Sequence, residues 1–212
     1  MLETLSQISD LLIKGRAPQV KELVEQALSE GIEPGEILNQ GLVSGMSIIG
    51  ERFKNNEVYV PEVLIAARAM NAGMGVLKPK LVEAGVKPKG CVAVGTVKGD
   101  LHDIGKNLVC MMLEGAGYNV LDLGVNVESA KFVAAAKENG AQLIAMSALL
   151  TTTMGAMKET VDAVKSENLQ DQVKIMIGGA PVTQSFSDEI GADGYAADAA
   201  SAVDLANQLL GL

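Results

Sequence analysis

Tryptophan is absent from this chain of 212 residues, and aromatic residues make up only 3% of it. The apolar fraction is nevertheless 48%, which suffices for a substantial core. We therefore expect that core to consist of Ala, Val, Leu, Ile and Met. The 23 glycines predict tight turns and close packing of helices on a sheet.

Basic clusters are also absent, and the formal net charge is −9. Because phosphate binding needs concentrated Lys and Arg, nucleic acid is not an expected partner. No apolar run approaches the roughly 20 residues that span a bilayer, and the first ten residues lack the features of a signal peptide. We expect no membrane association and a cytoplasmic location.

Cysteine and histidine are scarce, with two cysteines and one histidine. Cys91 and Cys110 form no CxxC pair and lie in apolar stretches, so we expect buried free thiols in a reducing compartment. One histidine without a nearby cysteine does not make a zinc site, which needs three or four protein ligands.

The periodicity up to about residue 85 is helical throughout, with apolar residues three and four positions apart. Four such stripes begin at Leu5, Val20, Leu38 and Val63. Proline stands near the start of the last three helices, where its missing N–H costs little. Pro79 is expected to kink or end the fourth helix. The pattern predicts a four-helix bundle over residues 1–85.

After a linker at residues 84–90 the pattern alternates between short apolar runs and helical stretches. The runs predict strands at 91–95, 120–123, 143–147, 174–177 and 195–196, and the stretches predict helices at about 104–117, 127–139, 152–167, 182–190 and 198–210. Continuous apolar strands indicate a parallel sheet covered on both faces. We therefore expect a Rossmann-like (flavodoxin-like) α/β domain with a five-stranded parallel sheet over residues 90–212.

Ligands of such sheets bind at the carboxyl ends of the strands. The loop after the first predicted strand holds His102, which on its own would more often be structural or merely exposed. Asp100 precedes it by two residues, and a carboxylate on one ring nitrogen makes the other nitrogen a better metal ligand. A single protein ligand suffices when a macrocycle supplies the others.

Two further loops begin at the same edge, one at Ser147 and one at Gly178-Gly179. The glycines either make a turn with close packing or leave room for a ligand. Ser147 either ends a strand or contacts that ligand. The three threonines at 151–153 either cap a helix or contribute hydroxyl groups to the site.

In combination, Asp100-x-His102-x-x-Gly105, Ser147-x-Leu149 and Gly178-Gly179 resemble the cobalamin-binding signature DxHxxG…SxL…GG. The helical half, with residues 50–53 and 58–62, resembles the cap that precedes this domain in methionine synthase. It is more similar still to free-standing corrinoid proteins of methanol, methylamine and glycine betaine methyltransferase systems. The resemblance covers nearly the whole chain.

This resemblance implies that His102 is the lower axial ligand of cobalt in a cobalamin or related corrinoid. Asp100 would accept the other ring N–H of His102, and Thr153 would hydrogen-bond to Asp100. Through this relay, protonation of the His–Asp pair would follow the redox state of the cobalt.

The resemblance also implies three groups of cofactor contacts. A slot for the nucleotide tail would be lined by Ser147, Leu149, Thr151, Gly178, Gly179 and Ala199. The corrin and the tail would contact Gly99, Leu101, Asp103, Ile104 and Gly105. The helical domain would cover the upper face with Phe53, Val60 and Asn39, although plain core packing is the alternative for Phe53. Residues 84–90 would be the hinge that lets this cap move aside.

The function implied is a methyl carrier, which is a cofactor-carrying subunit and not an enzyme as an isolated chain. A substrate-specific methyltransferase would load Co(I), and methyl-Co(III), as in methylcobalamin, would supply a second methyltransferase acting on tetrahydrofolate or a thiol. A reductive activase is a further candidate partner. The alternatives are a cobalamin-dependent sensor, the small subunit of a carbon-skeleton mutase, and a flavodoxin-like domain with chance motifs.

Overall fold

The computed structural model describes residues 2–212, which divide into two compact units. One unit comprises the described residues up to Pro88 together with Glu114–Gly117, and the other comprises Lys89–Leu113 and Tyr118–Leu212. The first is helical and the second is an α/β unit.

The helical unit follows the predicted stripes closely. Its helices are α1 (Leu2–Ile13), α2 (Ala17–Ser29), α3 (Pro34–Glu36), α4 (Ser44–Lys54) and α5 (Val60–Glu83), with a π-helical segment at Ile37–Val43 between α3 and α4. The predicted count of four helices is therefore not exact, because the third helix is divided into three consecutive segments. Proline occupies the first or second position of α2, α3 and α5, as expected.

Small residues allow α1 to approach the third helix closely. A Cβ added to Gly41 would lie 3.1 Å from Ile8 Cγ2, and one added to Gly45 would lie 3.2 Å from the Ser9 carbonyl oxygen. Ile8, Leu12 and Leu42 are fully buried in the core that results. This core is aliphatic, as the composition predicts.

Helix α5 differs from expectation in two ways. It continues through Pro79 to Glu83, so Pro79 does not end it. By length and composition alone, α5 is also the one helix within residues 2–212 that would suffice to cross a membrane. Eight of its 24 residues are buried, including Val63, Met70 and Leu77, so one face of α5 packs in the core of the helical unit.

The elements that follow the linker are β1 (Cys91–Val97), α6 (Ile104–Gly115), β2 (Asn119–Val127), α7 (Ser129–Asn139), β3 (Leu143–Ser147), α8 (Gly155–Ser166), β4 (Lys174–Gly178), α9 (Gln184–Ile190), β5 (Gly194–Ala196) and α10 (Ala199–Leu210). All strand pairs are parallel, and the strand order is β2-β1-β3-β4-β5. The core of the α/β unit includes Phe132, Ile144, Val161 and Ile177. The predicted Rossmann-like fold is confirmed.

Strand β2 is an edge strand and is longer than the predicted run at 120–123. Its pairing with β1 shifts register twice, between Val94 and Gly95 and between Gly95 and Val97. Gly124 and Asn126 have φ angles of +87° and +52° in this irregular part. The end of β2 is therefore bulged beside the loop that follows β1.

Candidate functional site

The three motif loops leave neighbouring strands at the same edge of the sheet. Thr96 near the end of β1 pairs with Ser147 at the end of β3, and Ser147 pairs with Gly178 at the end of β4. Parallel pairing thus brings the three motifs together at the carboxyl ends of β1, β3 and β4.

Asp100 lies at the centre of this edge and is 0% exposed. Its Oδ1 atom accepts hydrogen bonds from the His102 backbone N–H at 3.1 Å and contacts the His102 ring nitrogen Nδ1 at 2.7 Å. Its Oδ2 atom accepts from the N–H groups of Leu149 at 2.8 Å and Leu150 at 3.3 Å, and from Thr153 Oγ1 at 2.9 Å. One buried carboxylate therefore ties the loop after β1 to the loop after β3.

Burial by itself would raise the pKa of Asp100, but the hydrogen bonds have the larger combined effect. The Leu149 N–H, the His102 N–H and ring, and the Thr153 hydroxyl together hold the pKa of this carboxyl well below its usual range. Asp100 is therefore ionised at neutral pH and acts only as an acceptor.

The His102 side chain is 50% exposed, in contrast to its buried partner. Because Asp100 is an acceptor, Nδ1 carries the hydrogen in the neutral ring, and the lone pair of the other nitrogen, Nε2, is left available. No hydrogen bond to Nε2 is found among residues 2–212. Buried Thr96 donates its hydroxyl to the His102 carbonyl oxygen at 2.8 Å and fixes the backbone of His102.

Apolar side chains around His102 are unusually exposed. Leu101 is 71% and Ile104 is 79% exposed in the loop after β1, and Leu149 and Leu150 are 44% and 42% exposed in the loop after β3. Clustered exposed leucine and isoleucine mark a surface that binds an apolar partner.

These features fit a corrinoid and do not fit a bare metal ion. Within residues 2–212, no group of three or more His, Cys, Asp or Glu side chains could hold a metal ion. A metal bound by His102 would therefore take its other ligands from a macrocycle, and the apolar surroundings suit such a ring. His102 would hold the cobalt, which in turn would supply methyl-transfer chemistry.

The motif glycines fall into two kinds. A Cβ at Gly179, whose φ is +132°, would lie 1.9 Å from the Ala148 carbonyl oxygen, and one at Gly178 would lie 2.9 Å from the Ala196 carbonyl oxygen. The turn interpretation is thus sufficient for these two, because the protein's own backbone excludes a side chain. A Cβ at Gly105 would meet nothing within 4 Å beyond its chain neighbours and its own helix backbone.

The remaining predicted contacts vary in accessibility. Ser147 ends β3 and is half-buried, Thr151 is exposed, and Ala199 is buried at the start of α10. The alternative in which a threonine caps α8 is wrong, since the N-cap residue is Met154 and no side chain caps the helix. Their roles toward the cofactor stay predictions.

The three predicted cap residues belong to the helical unit. Asn39 is exposed in the π-helical segment, whereas Phe53 and Val60 are half-buried at the end of α4 and the start of α5. π-Helical turns are uncommon and frequent at functional sites, which is consistent with the role expected of Asn39. That role, too, stays a prediction.

Sequence motifs did not identify two residues near the loop after β1, one that contacts the loop and one that ties the following helix to β2. Asn126 accepts a hydrogen bond from the Gly99 N–H at 2.8 Å. Lys106 is 3% exposed and donates to both carboxylate oxygens of Asp122 at 2.6 Å. The one available signal was the spacing of Asp122, Gly124 and Asn126 at the end of a predicted strand.

Comparisons with known proteins agree with this geometry. The B12 binding domain family matches residues 90–204, and a second B12 binding domain family matches residues 4–78. A dimethylamine corrinoid protein of Methanosarcina barkeri is 44% identical over 209 residues, covering 98% of each chain. A corrinoid protein of Desulfitobacterium hafniense (strain Y51) is 41% identical and covers 100% of this chain and 99% of its own length.

Two solved structures are also similar. The methanol:cobalamin methyltransferase complex of Methanosarcina barkeri matches with a TM-score of 0.88 at 30% identity, over 99% of this chain and 80% of that chain. A cobalamin-binding protein from Desulfitobacterium hafniense DCB-2 matches with a TM-score of 0.80 at 30% identity, over 97% of this chain and 98% of that chain. This chain therefore belongs to the B12-binding corrinoid proteins of methylamine and methanol methyltransferase systems, and its cofactor is a corrinoid.

Proposed function

We propose that this chain is a methyl carrier between two methyltransferases. One observation carries the proposal: the buried Asp100 carboxylate binds Nδ1 of His102, the single histidine, and so leaves Nε2 of the same ring pointing away from the carboxylate. The bound corrinoid would supply a cobalt centre that accepts a methyl group and passes it on. Selectivity for the methyl donor would lie in the loading enzyme.

The residues of this chain would bind, orient and shield. Asp100 and Thr153 would fix the ring tautomer of His102, and Leu101 and Ile104 would exclude water from the lower face of the corrin. The tail slot would follow the loops after β3 and β4, from Ser147 through Leu149 and Thr151 to Gly178 and Gly179, and would reach Ala199. Gly99, Asp103 and Gly105 would contribute backbone contacts.

We further propose that residues 1–85 are a cap and that residues 90–212 bind the cofactor. Phe53, Val60 and Asn39 would cover the upper face, and the linker at 84–90 would let the cap move aside for each methyltransferase. A reductive activase would restore the carrier after accidental oxidation. Within residues 2–212 neither Cys91 nor Cys110 is in a disulfide, which is consistent with a reducing, cytoplasmic location.

The names of the relatives favour the carrier over the sensor and mutase alternatives. Dimethylamine and trimethylamine corrinoid proteins match along 98% of this chain at 41–44% identity. These matches run along nearly the whole length of each relative as well.

The single histidine allows a direct test. The tag-free chain would be grown with ¹⁵N-histidine, reconstituted with cob(II)alamin and examined by electron paramagnetic resonance. We expect a doublet splitting from the one labelled nitrogen, because His102 is the only source of ¹⁵N. The His102→Ala variant should still bind the corrinoid but lose this splitting.

Unlabelled chain serves as the control, since ¹⁴N from the same ring gives a triplet. A wild-type spectrum without ¹⁵N splitting would overturn the assignment of His102 as the axial ligand. A His102→Ala spectrum identical to that of the wild type would do the same.

A further inference from the structure

Asn126 lies at the bulged end of β2 and adopts a left-handed backbone conformation, with φ of +52°. Among residues with a Cβ, asparagine and aspartate tolerate this region best. Asn126 uses both its backbone and its side chain to contact the loop after β1.

The two contacts fall on adjacent residues of that loop. The side-chain oxygen Oδ1 of Asn126 accepts from the Gly99 N–H at 2.8 Å, and the Asn126 N–H donates to the Asp100 carbonyl oxygen at 2.9 Å. Asn126 therefore holds both sides of the Gly99–Asp100 segment.

Gly99 is the one glycine in the loop between β1 and α6. Its φ is +82°, and a Cβ there would meet only Thr153 Cγ2 at an ordinary 3.5 Å. Little steric restraint therefore acts at Gly99, so its torsion angles depend on hydrogen bonds. These angles set the direction of the Asp100 carboxylate, which must reach the His102 ring at 2.7 Å.

We infer that Asn126 is a positioning residue for the axial histidine. It holds Gly99 and Asp100 in the one conformation in which the carboxylate fixes His102 with Nε2 free. This inference rests on the proposed function of His102. It adds a residue outside the motif loops, from an edge strand, to the machinery that orients the ligand.

Three substitutions separate the acceptor from the backbone conformation. Asn126→Gly keeps the left-handed backbone and removes the acceptor, whereas Asn126→Asp keeps both. Asn168→Gly is the matched control, because Asn168 has a φ of +55° and its backbone N–H bonds within the turn after α8, remote in sequence from the motif loops.

Each variant would be prepared tag-free with ¹⁵N-histidine and studied in two states. In the cofactor-free protein, nuclear magnetic resonance would report the ratio of the Nδ1–H to the Nε2–H tautomer of His102. In the cob(II)alamin form, unlabelled imidazole would be titrated until the ¹⁵N doublet is replaced by a ¹⁴N triplet. The midpoint of that titration measures how strongly His102 holds the cobalt.

We expect Asn126→Gly to lower the tautomer ratio and the imidazole midpoint by about 3- to 10-fold, the effect of losing one hydrogen bond. Asn126→Asp and Asn168→Gly should stay within about twofold of the wild type, well below that effect.

A tautomer ratio and an imidazole midpoint in Asn126→Gly equal to those of the wild type would overturn the inference. An equal fall of both quantities in Asn168→Gly would also overturn it, because the effect would then be a general loss of structure and not specific to Asn126. If the wild type itself shows no ¹⁵N splitting, the proposed function fails and the inference fails with it. If the wild type shows the splitting but the Asn126→Gly variant is unaffected, the inference about Asn126 is wrong and the proposed function stands.

Discussion

The atoms around each motif glycine show whether the fold itself excludes a side chain at that position or whether only a ligand would. Gly179 is required by the fold, since a Cβ would lie 1.9 Å from a backbone oxygen at a φ of +132°. Gly105 is helical, and a Cβ there would meet nothing within 4 Å beyond its chain neighbours and its own helix backbone. The protein's own contacts therefore explain the glycine at position 179 but not the one at position 105, where the proposed cofactor contact would explain it.

Gly105→Ala is expected to weaken corrinoid binding without weakening the fold. An added methyl group in a packed contact costs about 1–3 kcal/mol, so affinity should fall by about tenfold or more. Alanine is the better helix former, so the free energy of unfolding should stay constant or rise by up to about 1 kcal/mol. Absorbance titration with hydroxocobalamin and urea unfolding would measure the two quantities.

Gly75→Ala is the control, because Gly75 is also helical with nothing within 4 Å of its missing Cβ. Equal affinities of the Gly105 and Gly75 variants would show that the corrinoid does not approach position 105.

At the level of elements, the irregular end of β2 and the first turn of α6 hold the loop after β1 from its two ends. Asn126 contacts Gly99 and Asp100, while buried Lys106 reaches Asp122. Burial would raise the pKa of Asp122, but hydrogen bonds from Lys106 and the Gly124 N–H lower it. The ion pair therefore joins α6 to the edge strand.

Asp122→Asn should destabilise the protein by about 1–3 kcal/mol, because it leaves the buried Lys106 ammonium without its charged acceptor. The measurement is urea unfolding at neutral pH. Asp162→Asn breaks an exposed pair with Lys158 and should cost at most about 0.5 kcal/mol. A similar loss for both variants would mean that the Lys106 pair adds nothing beyond a surface contact.

The elements that sequence periodicity predicted best are those with one uniform environment. Strand β3 was predicted at 143–147, as observed, because all but its last residue are buried. Strand β2 was predicted too short, since its last residues include exposed Val125 and Asn126 and pair irregularly. Periodicity also does not reveal a π-helical segment, because Ile37, Leu38 and Leu42 remain apolar in either helix type.

For the molecule as a whole, the family motifs identified the predicted ligand and its hydrogen-bond partners, but not the residue that holds the loop after β1. Asp100, His102 and Thr153 were predicted together and are joined by hydrogen bonds. Asn126 was missed because its role depends on a left-handed φ and on a contact across the sheet edge, neither of which is encoded in residue spacing.

Global stability should depend on the Asp100 carboxylate in acid. Its folded pKa lies below the unfolded value of about 3.9, so its contribution is present above that pH and is lost as the pH falls through the folded pKa. Asp100→Asn should therefore be less stable than the wild type at pH 7, by about 1–3 kcal/mol. The difference should shrink below about pH 4.

Urea unfolding across this pH range would test the expectation. Asp198→Asn is the control, because Asp198 caps α10 and asparagine caps helices equally well. A difference between wild type and Asp100→Asn that stays constant down to the lowest pH would contradict an ionised Asp100 in the fold.

The bulged end of β2 has a second consequence, for self-association. A long regular edge strand offers a row of backbone groups on which another chain can continue the sheet and aggregate. In β2 the register shifts and the left-handed Gly124 and Asn126 interrupt that row. The irregularity that braces the loop after β1 thus also blunts the sheet edge against growth by strand addition.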